Sequence, residues 1–136
     1  MKVLVIDAQG GGIGKQLVSA LKKKAPDVYV MAVGTNTAAT AAMLKAGANE
    51  GATGENSVIV AARKADVIVG PIGIAIADSM LGEVTPKMAL AIAQASAKRI
   101  FLPFNHCDNI IVGISDINVS ALVNEAVTEI LTEGCL

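Results

Sequence analysis

Gln9-Gly10-Gly11-Gly12-Ile13-Gly14 stands between an apolar run ending at Asp7 and a helix-patterned stretch that opens at Gly12. A glycine-rich turn in that slot lets backbone N–H groups and a helix N-terminus face an anion such as a pyrophosphate. The spacing departs from the usual fingerprints. Counted from Gly10, the third glycine of G-x-G-x-x-G falls on Lys15; counted one residue earlier, the first falls on Gln9. Gly14-Lys15 is no P-loop either, because Gln9 stands where its first glycine belongs and Gln16 follows the lysine. The bland alternative is a tight turn that binds nothing. The slot, more than the spacing, points to phosphate or nucleotide contact by Gln9, Gly10, Gly11, Gly12, Ile13 and Gly14. Lys15 either adds a cation there or is a solvated first-turn residue.

Three other clusters carry chemistry. At the end of the second apolar run, a dinucleotide site usually has an acid for the ribose hydroxyls or an Arg for a 2′-phosphate. Gly34-Thr35-Asn36-Thr37 has neither, which counts against ordinary NAD use. Thr35 and Asn36 suit a ribose or phosphate, and capping the next helix explains them equally well. Residues 70–83 form an apolar segment, with Gly70, Pro71, Ile72 and Gly73 at its start. Such a loop must be covered by a ligand, by a partner subunit or by folding on itself. Gly70 and Gly73 are expected to let its backbone approach the glycine turn closely. Asp78 and Glu83 are the acids nearest the expected crevice, along with Asp7, which is read as a hydrogen-bond acceptor for the glycine turn. Asn105-His106-Cys107-Asp108 gathers the sole histidine and one cysteine. Neighbouring side chains in an extended segment point opposite ways, which disfavours a Cys–His nucleophile. With one histidine and no C-x-x-C, no metal is expected. Hairpin-turn chemistry is the better reading, with Asn105 the residue facing a ligand.

The elements that must position these residues follow from composition and pattern. The chain has 136 residues, 53% apolar and 17% charged, and its mean hydropathy is +0.58. Disorder is excluded, and one domain spanning residues 1–136 is expected. The longest uncharged apolar stretch, residues 67–77, is well short of the roughly 18 residues a spanning helix needs. A net charge of −1 and a pI near 5.7 leave no footprint for nucleic acid or an anionic membrane. The start turns charged at Asp7, too soon for a signal peptide, so a cytoplasmic protein with free thiols at Cys107 and Cys135 is expected. Only Tyr29, Phe101 and Phe104 are aromatic. A small domain this apolar leaves hydrophobic surface over, which predicts a homo-oligomer, dimer or higher.

Short β-branched runs alternate with helical patterns. Strands are predicted over residues 3–6, 28–33, 49–52, 66–69 and 100–104, and helices over 12–24, 37–46, 56–64, 85–97 and 118–131. Gly47 closes the second helix in the left-handed conformation, and Thr85-Pro86 opens the fourth as N-cap and N1. Residues 110–114 follow the last of these strands too closely for a crossover helix, which predicts an antiparallel hairpin. Repeated βα units make a parallel sheet covered on both faces. The expected fold is a three-layer α/β/α, Rossmann-like doubly wound sheet, mostly parallel, of order 3-2-1-4-5 with the antiparallel hairpin strand at its edge. Ligands bind such sheets at the switch point between the first and fourth strands. That rule gathers residues 8–12, 34–36, 70–83 and 105–108 around one crevice.

The segments Asp7-Ala8-Gln9-Gly10-Gly11-Gly12-Ile13-Gly14-Lys15, Gly34-Thr35-Asn36, Gly51-Ala52-Thr53-Gly54-Glu55-Asn56, Gly70-Pro71-Ile72-Gly73-Ile74 and Pro103-Phe104-Asn105 resemble those of a family of short bacterial proteins known as a domain of unknown function (family 3842). The likeness covers most of the chain and brings no activity with it, so function rests on the residues. The glycine turn alone also resembles those of dinucleotide-binding Rossmann proteins. The preferred reading is a binding module for a phosphate-bearing small molecule, such as NAD(P) or an adenine nucleotide, acting as an oligomeric sensor or regulatory domain. A small enzyme acting on a nucleotide or phosphorylated metabolite in the crevice is the alternative. Sole Tyr29 is followed four residues later by Val33, so no Tyr-x-x-x-Lys pair supports it. A structural oligomer without ligand is the third reading. Light scattering at high protein concentration is expected to give a multiple of the chain mass; a monomer would remove the oligomer argument.

Overall fold

Three apolar segments, residues 2–7, 29–34 and 67–71, are buried almost throughout and form the centre of the middle layer, with two more exposed strands at its edges. The structure is a computed structural model, which describes residues 1–104, 109–114 and 118–134. The strands are β1 (Lys2–Asp7), β2 (Tyr29–Gly34), β3 (Glu50–Thr53), β4 (Val67–Pro71) and β5 (Lys98–Leu102). They pair in the order β3-β2-β1-β4-β5, and every pairing is parallel. The helices are α1 (Gly12–Lys24), α2 (Thr37–Lys45), α3 (Glu55–Lys64), α4 (Pro86–Gln94) and α5 (Val119–Gly134). The fold is therefore an α/β, Rossmann-like one.

The pleat of β1 divides the core in two. Val3 and Val5 pack on one side with Leu17, Leu21, Met43 and Ile130 from α1, α2 and α5. Leu4 and Ile6 pack on the other with Val58, Met88 and Ile92 from α3 and α4. Each helix is held by the apolar stripe it turns to the sheet, and local caps set where it begins. The Asn36 side chain accepts the Ala39 N–H to start α2, and Thr85 does the same for Met88 with Pro86 behind it. Lys22, Lys23 and Lys24 end α1, where the helix dipole favours cations.

Two expectations are corrected. No strand forms over residues 110–114, so the antiparallel edge hairpin is absent among the described residues. Gly113 has φ 94 in a turn with Val112, outside the extended region, and this breaks the run that β-branched composition suggested. Residues 70–83 also do not begin as a loop. Gly70 and Pro71 complete β4, and Ile72–Ala75 form a 3₁₀ turn that buries Ile74. The remainder folds on itself, sinking Met80 and Val84 into the core and leaving Leu81 wholly exposed.

Gly70 is required by sheet packing, because an added Cβ would meet the Ile6 carbonyl oxygen of β1. Gly70→Ala is expected to cost about 1–3 kcal/mol or more. Gly10, which has no atom within 4 Å of such a carbon and no positive φ, should tolerate Ala within about 0.5 kcal/mol. Urea unfolding of the two variants checks the contrast.

Candidate functional site

The site begins with a carboxyl group at the end of a buried strand. Asp7 closes β1 and is 4% exposed. Its Oδ1 accepts the Ala8 N–H at 2.8 Å, and its Oδ2 accepts the Gly14 N–H at 2.7 Å. The acceptor role expected for Asp7 is thus present. Between these anchors the chain turns at Gly11, with φ 73, and Gly11 N–H donates to Ala8 O at 3.0 Å. An added Cβ would lie 2.8 Å from Ala39 Cα at Gly11, and 2.6 Å from Met43 Sδ at Gly14. Both glycines are needed to bring α1 against α2.

The remaining glycines of the turn have no such reason. Neither Gly10 nor Gly12 has positive φ or any atom within 4 Å of an added Cβ. α1 has no side-chain cap and no acid in its first turn. The amides of Gly12 and Ile13 have no acceptor among the described residues, as the first donors of a helix commonly lack one. They leave an open patch of partial positive charge beside the carboxyl ends of β1 and β4.

Glu83 closes the other side. It lies after β4 in sequence, yet reaches across the end of β1 to β2. Its Oε1 accepts the Gln9 N–H at 2.8 Å, the Thr35 hydroxyl at 2.7 Å and the Asn36 Nδ2 group at 2.8 Å. Asn36 Nδ2 also donates to Gln9 O at 2.9 Å, so one side chain caps α2, fixes the turn and holds the acid. Burial pushes the Glu83 pKa up, but the Gln9 amide, then the Thr35 and Asn36 donors, more than reverse this and hold it below its ordinary 4.5. Gln9, Asp78, Met80 and Leu81 all take positive φ (51, 65, 57 and 58), an unfavourable conformation concentrated on the two segments that meet here.

The structure therefore brings together Gln9, Gly10, Gly11, Gly12, Ile13, Gly14, Thr35 and Asn36. The start of the fourth-strand segment stands at the neighbouring strand end, since β4 runs parallel to β1 and ends at Pro71. Gly70 is packed on Ile6, Pro71 is buried in β4, and Gly73 abuts Met80 and Ser79 of its own segment. The close approach expected of Gly70 and Gly73 serves β1 and that loop, respectively, and not the glycine turn. Ile72 lies in the 3₁₀ turn. Asn105 and its neighbours His106, Cys107 and Asp108 lie outside the described residues. The sequence places Asp78 and Glu83 near the crevice without distinguishing them; the signal for Glu83 is an acid that closes a largely apolar segment just before a helix cap. A groove of about 510 Å³ lies between α3 and α4, lined by Ile59, Arg63, Lys87, Leu90 and Gln94 among others, and shares no residue with this site.

Fold and crevice together define a Rossmann-like α/β protein with its open donors at the switch point of the sheet. The chain belongs to the family described as a domain of unknown function, DUF3842, which matches residues 2–134. No curated protein matches it. Among solved structures it is similar to a dodecameric FMN-dependent Ubix-like decarboxylase from Escherichia coli O157:H7, at 15% identity and a TM-score of 0.47, covering 100% of this chain and 95% of that one. This likeness carries neither ligand nor chemistry to the present chain. No helix among the described residues is long and apolar enough to cross a membrane.

Because the Glu83 pKa is lowered on folding, its anchoring contributes fully above the ordinary carboxylate range and is lost as pH falls through the folded value. The melting temperature of wild type should exceed that of Glu83→Gln near neutrality, and the gap should close in acid. A gap constant from about pH 7 to pH 3 would contradict the anchoring role.

Proposed function

We propose that this chain, residues 1–136 as one domain, is a binding module for a phosphate-bearing, nucleotide-type small molecule such as NAD(P) or an adenine nucleotide, with a sensing or regulatory role. The phosphate faces the first turn of α1, against Gly10, Gly11, Gly12 and Ile13. Gln9, Thr35 and Asn36 border the neighbouring part of the crevice, and Gly14 keeps α1 at the required angle.

The observation that carries this reading is Gly12. Neither backbone conformation nor packing calls for glycine there. Its missing side chain leaves open space at the first turn of α1, where the Gly12 and Ile13 amides have no acceptor among the described residues. A phosphate supplies an acceptor for these two amides, beside the Gly14 amide that Asp7 already holds. Lys15 is exposed one turn on, in the groove between α1 and α5. Self-association belongs to the same proposal and is supported by Leu81, Ile110 and Val112, which are 101, 87 and 93% exposed. Apolar side chains so fully exposed are candidates for a shared interface.

A thermal-shift panel of nucleotides and phosphorylated metabolites tests the reading. A ligand at a hundred times its Kd adds about 2.7 kcal/mol, several degrees for a domain of this size. Gly12→Val is expected to abolish the shift and leave the unfolding midpoint and circular dichroism of the apo protein close to wild type. Unchanged affinity in that variant would sink the phosphate assignment.

A further inference from the structure

Dinucleotide sites of this fold generally place an acid at the end of the second strand, where its oxygens accept ribose hydroxyls. Residues 34–37 supply none. The folded chain supplies one from elsewhere. Glu83 comes from the segment after β4, and its carboxylate is held at the ends of β1 and β2 by Gln9 N–H, Thr35 Oγ1 and Asn36 Nδ2.

We propose that Glu83 is the specificity-determining acceptor of the ligand's ribose, so that the crevice selects nucleotides with a free 2′-hydroxyl and rejects those bearing a 2′-phosphate. This deepens the nucleotide-binding reading above and rests on it.

The two carboxylate oxygens of Glu83 differ in their partners. All three donors converge on Oε1, while Oε2 has no donor among the described residues. The carboxylate is thus fixed through one oxygen and presents the other as an open acceptor. Its three partners are an amide, a hydroxyl and a side-chain amide, none carrying a charge to neutralise it. The low pKa keeps Glu83 ionised at neutral pH, so it can accept and cannot donate. A ribose hydroxyl donates to such a group; a 2′-phosphate meets it as a like charge. The segment that delivers Glu83 includes Asp78, Met80, Leu81 and Gly82, all at positive φ. Backbone held in such conformations tends to mark functional sites. The acid also stands beside Gln9, at the head of the turn proposed to hold the phosphate. A nucleotide presents its ribose next to its phosphates in the same way.

Calorimetric titration of the full chain with ADP, 2′-deoxy-ADP, NAD and NADP tests this. Wild type is expected to bind ADP about tenfold or more tightly than 2′-deoxy-ADP, since a hydrogen bond to a charged group is lost. It should likewise prefer NAD to NADP. Glu83→Gln, which keeps an acceptor oxygen for Gln9, Thr35 and Asn36, should weaken ADP and bring both ratios close to one. Equal binding of ADP and 2′-deoxy-ADP by wild type overturns the assignment and leaves the nucleotide reading standing; this arm needs no variant. Tighter ADP binding by Glu83→Gln also overturns it, because the carboxylate would then be competing with the ligand's phosphate for the same donors. Failure of all four ligands to bind overturns the nucleotide reading itself, and this inference with it.

Discussion

A carboxyl group that is 4% exposed can end a buried strand only if donors replace the water it has lost. Asp7 meets that condition with the amides of Ala8 and Gly14, and most of the crevice geometry follows. The bond to Gly14 fixes the first turn of α1 against the end of β1. That closeness requires a residue without a side chain at position 14, where a Cβ would lie 2.9 Å from Asp7 Cβ. The backbone carbonyl of Asp7 meanwhile accepts the Thr35 N–H at 3.0 Å, which sets the end of β2 beside it. One residue thus aligns two strand ends and a helix start.

Glu83 complements it. Asp7 holds the far end of the glycine turn at Gly14, and Glu83 holds the near end at Gln9. Between them, the amides of Gly12 and Ile13 are left without an acceptor among the described residues. This division of labour accounts for the run of glycines. Gly11 and Gly14 serve the packing of α1 on α2, whereas Gly10 and Gly12 leave space. The segment after β4 has a comparable split: Ile74, Met80 and Val84 fold it down onto the core, and Glu83 carries it over to β2.

Much of this was legible in the sequence, for identifiable reasons. The run from Val3 to Ile6 and the stripe of Leu17 and Leu21 are strong periodic signals, and α1 spans the residues the pattern assigned to it. Repeated βα units imply a parallel sheet, and its order is the Rossmann one, a precedent that does not depend on individual side chains. Residues 110–114 misled because β-branched composition measures fitness for a pleated surface, not the presence of one. Gly113 was the contrary signal. Gly70 and Gly73 are places of close approach, to Ile6 and to Met80 and Ser79, and sequence does not say which neighbour comes near. The reach of Glu83 to Thr35 spans 48 residues and depends on left-handed backbone at Asp78, Met80 and Leu81, which no local pattern announces.

The central claim is that the open amides at the start of α1 receive a phosphate. The most direct measurement is an amide-resolved nuclear magnetic resonance titration of the chain with ADP. Saturable shifts that are largest at Gly12 and Ile13, extend to Gln9, Thr35 and Asn36, and spare the groove between α3 and α4 are the expected result. Shifts centred on Arg63, Lys87 and Leu90, or none at Gly12 and Ile13 at saturating ligand, would contradict it.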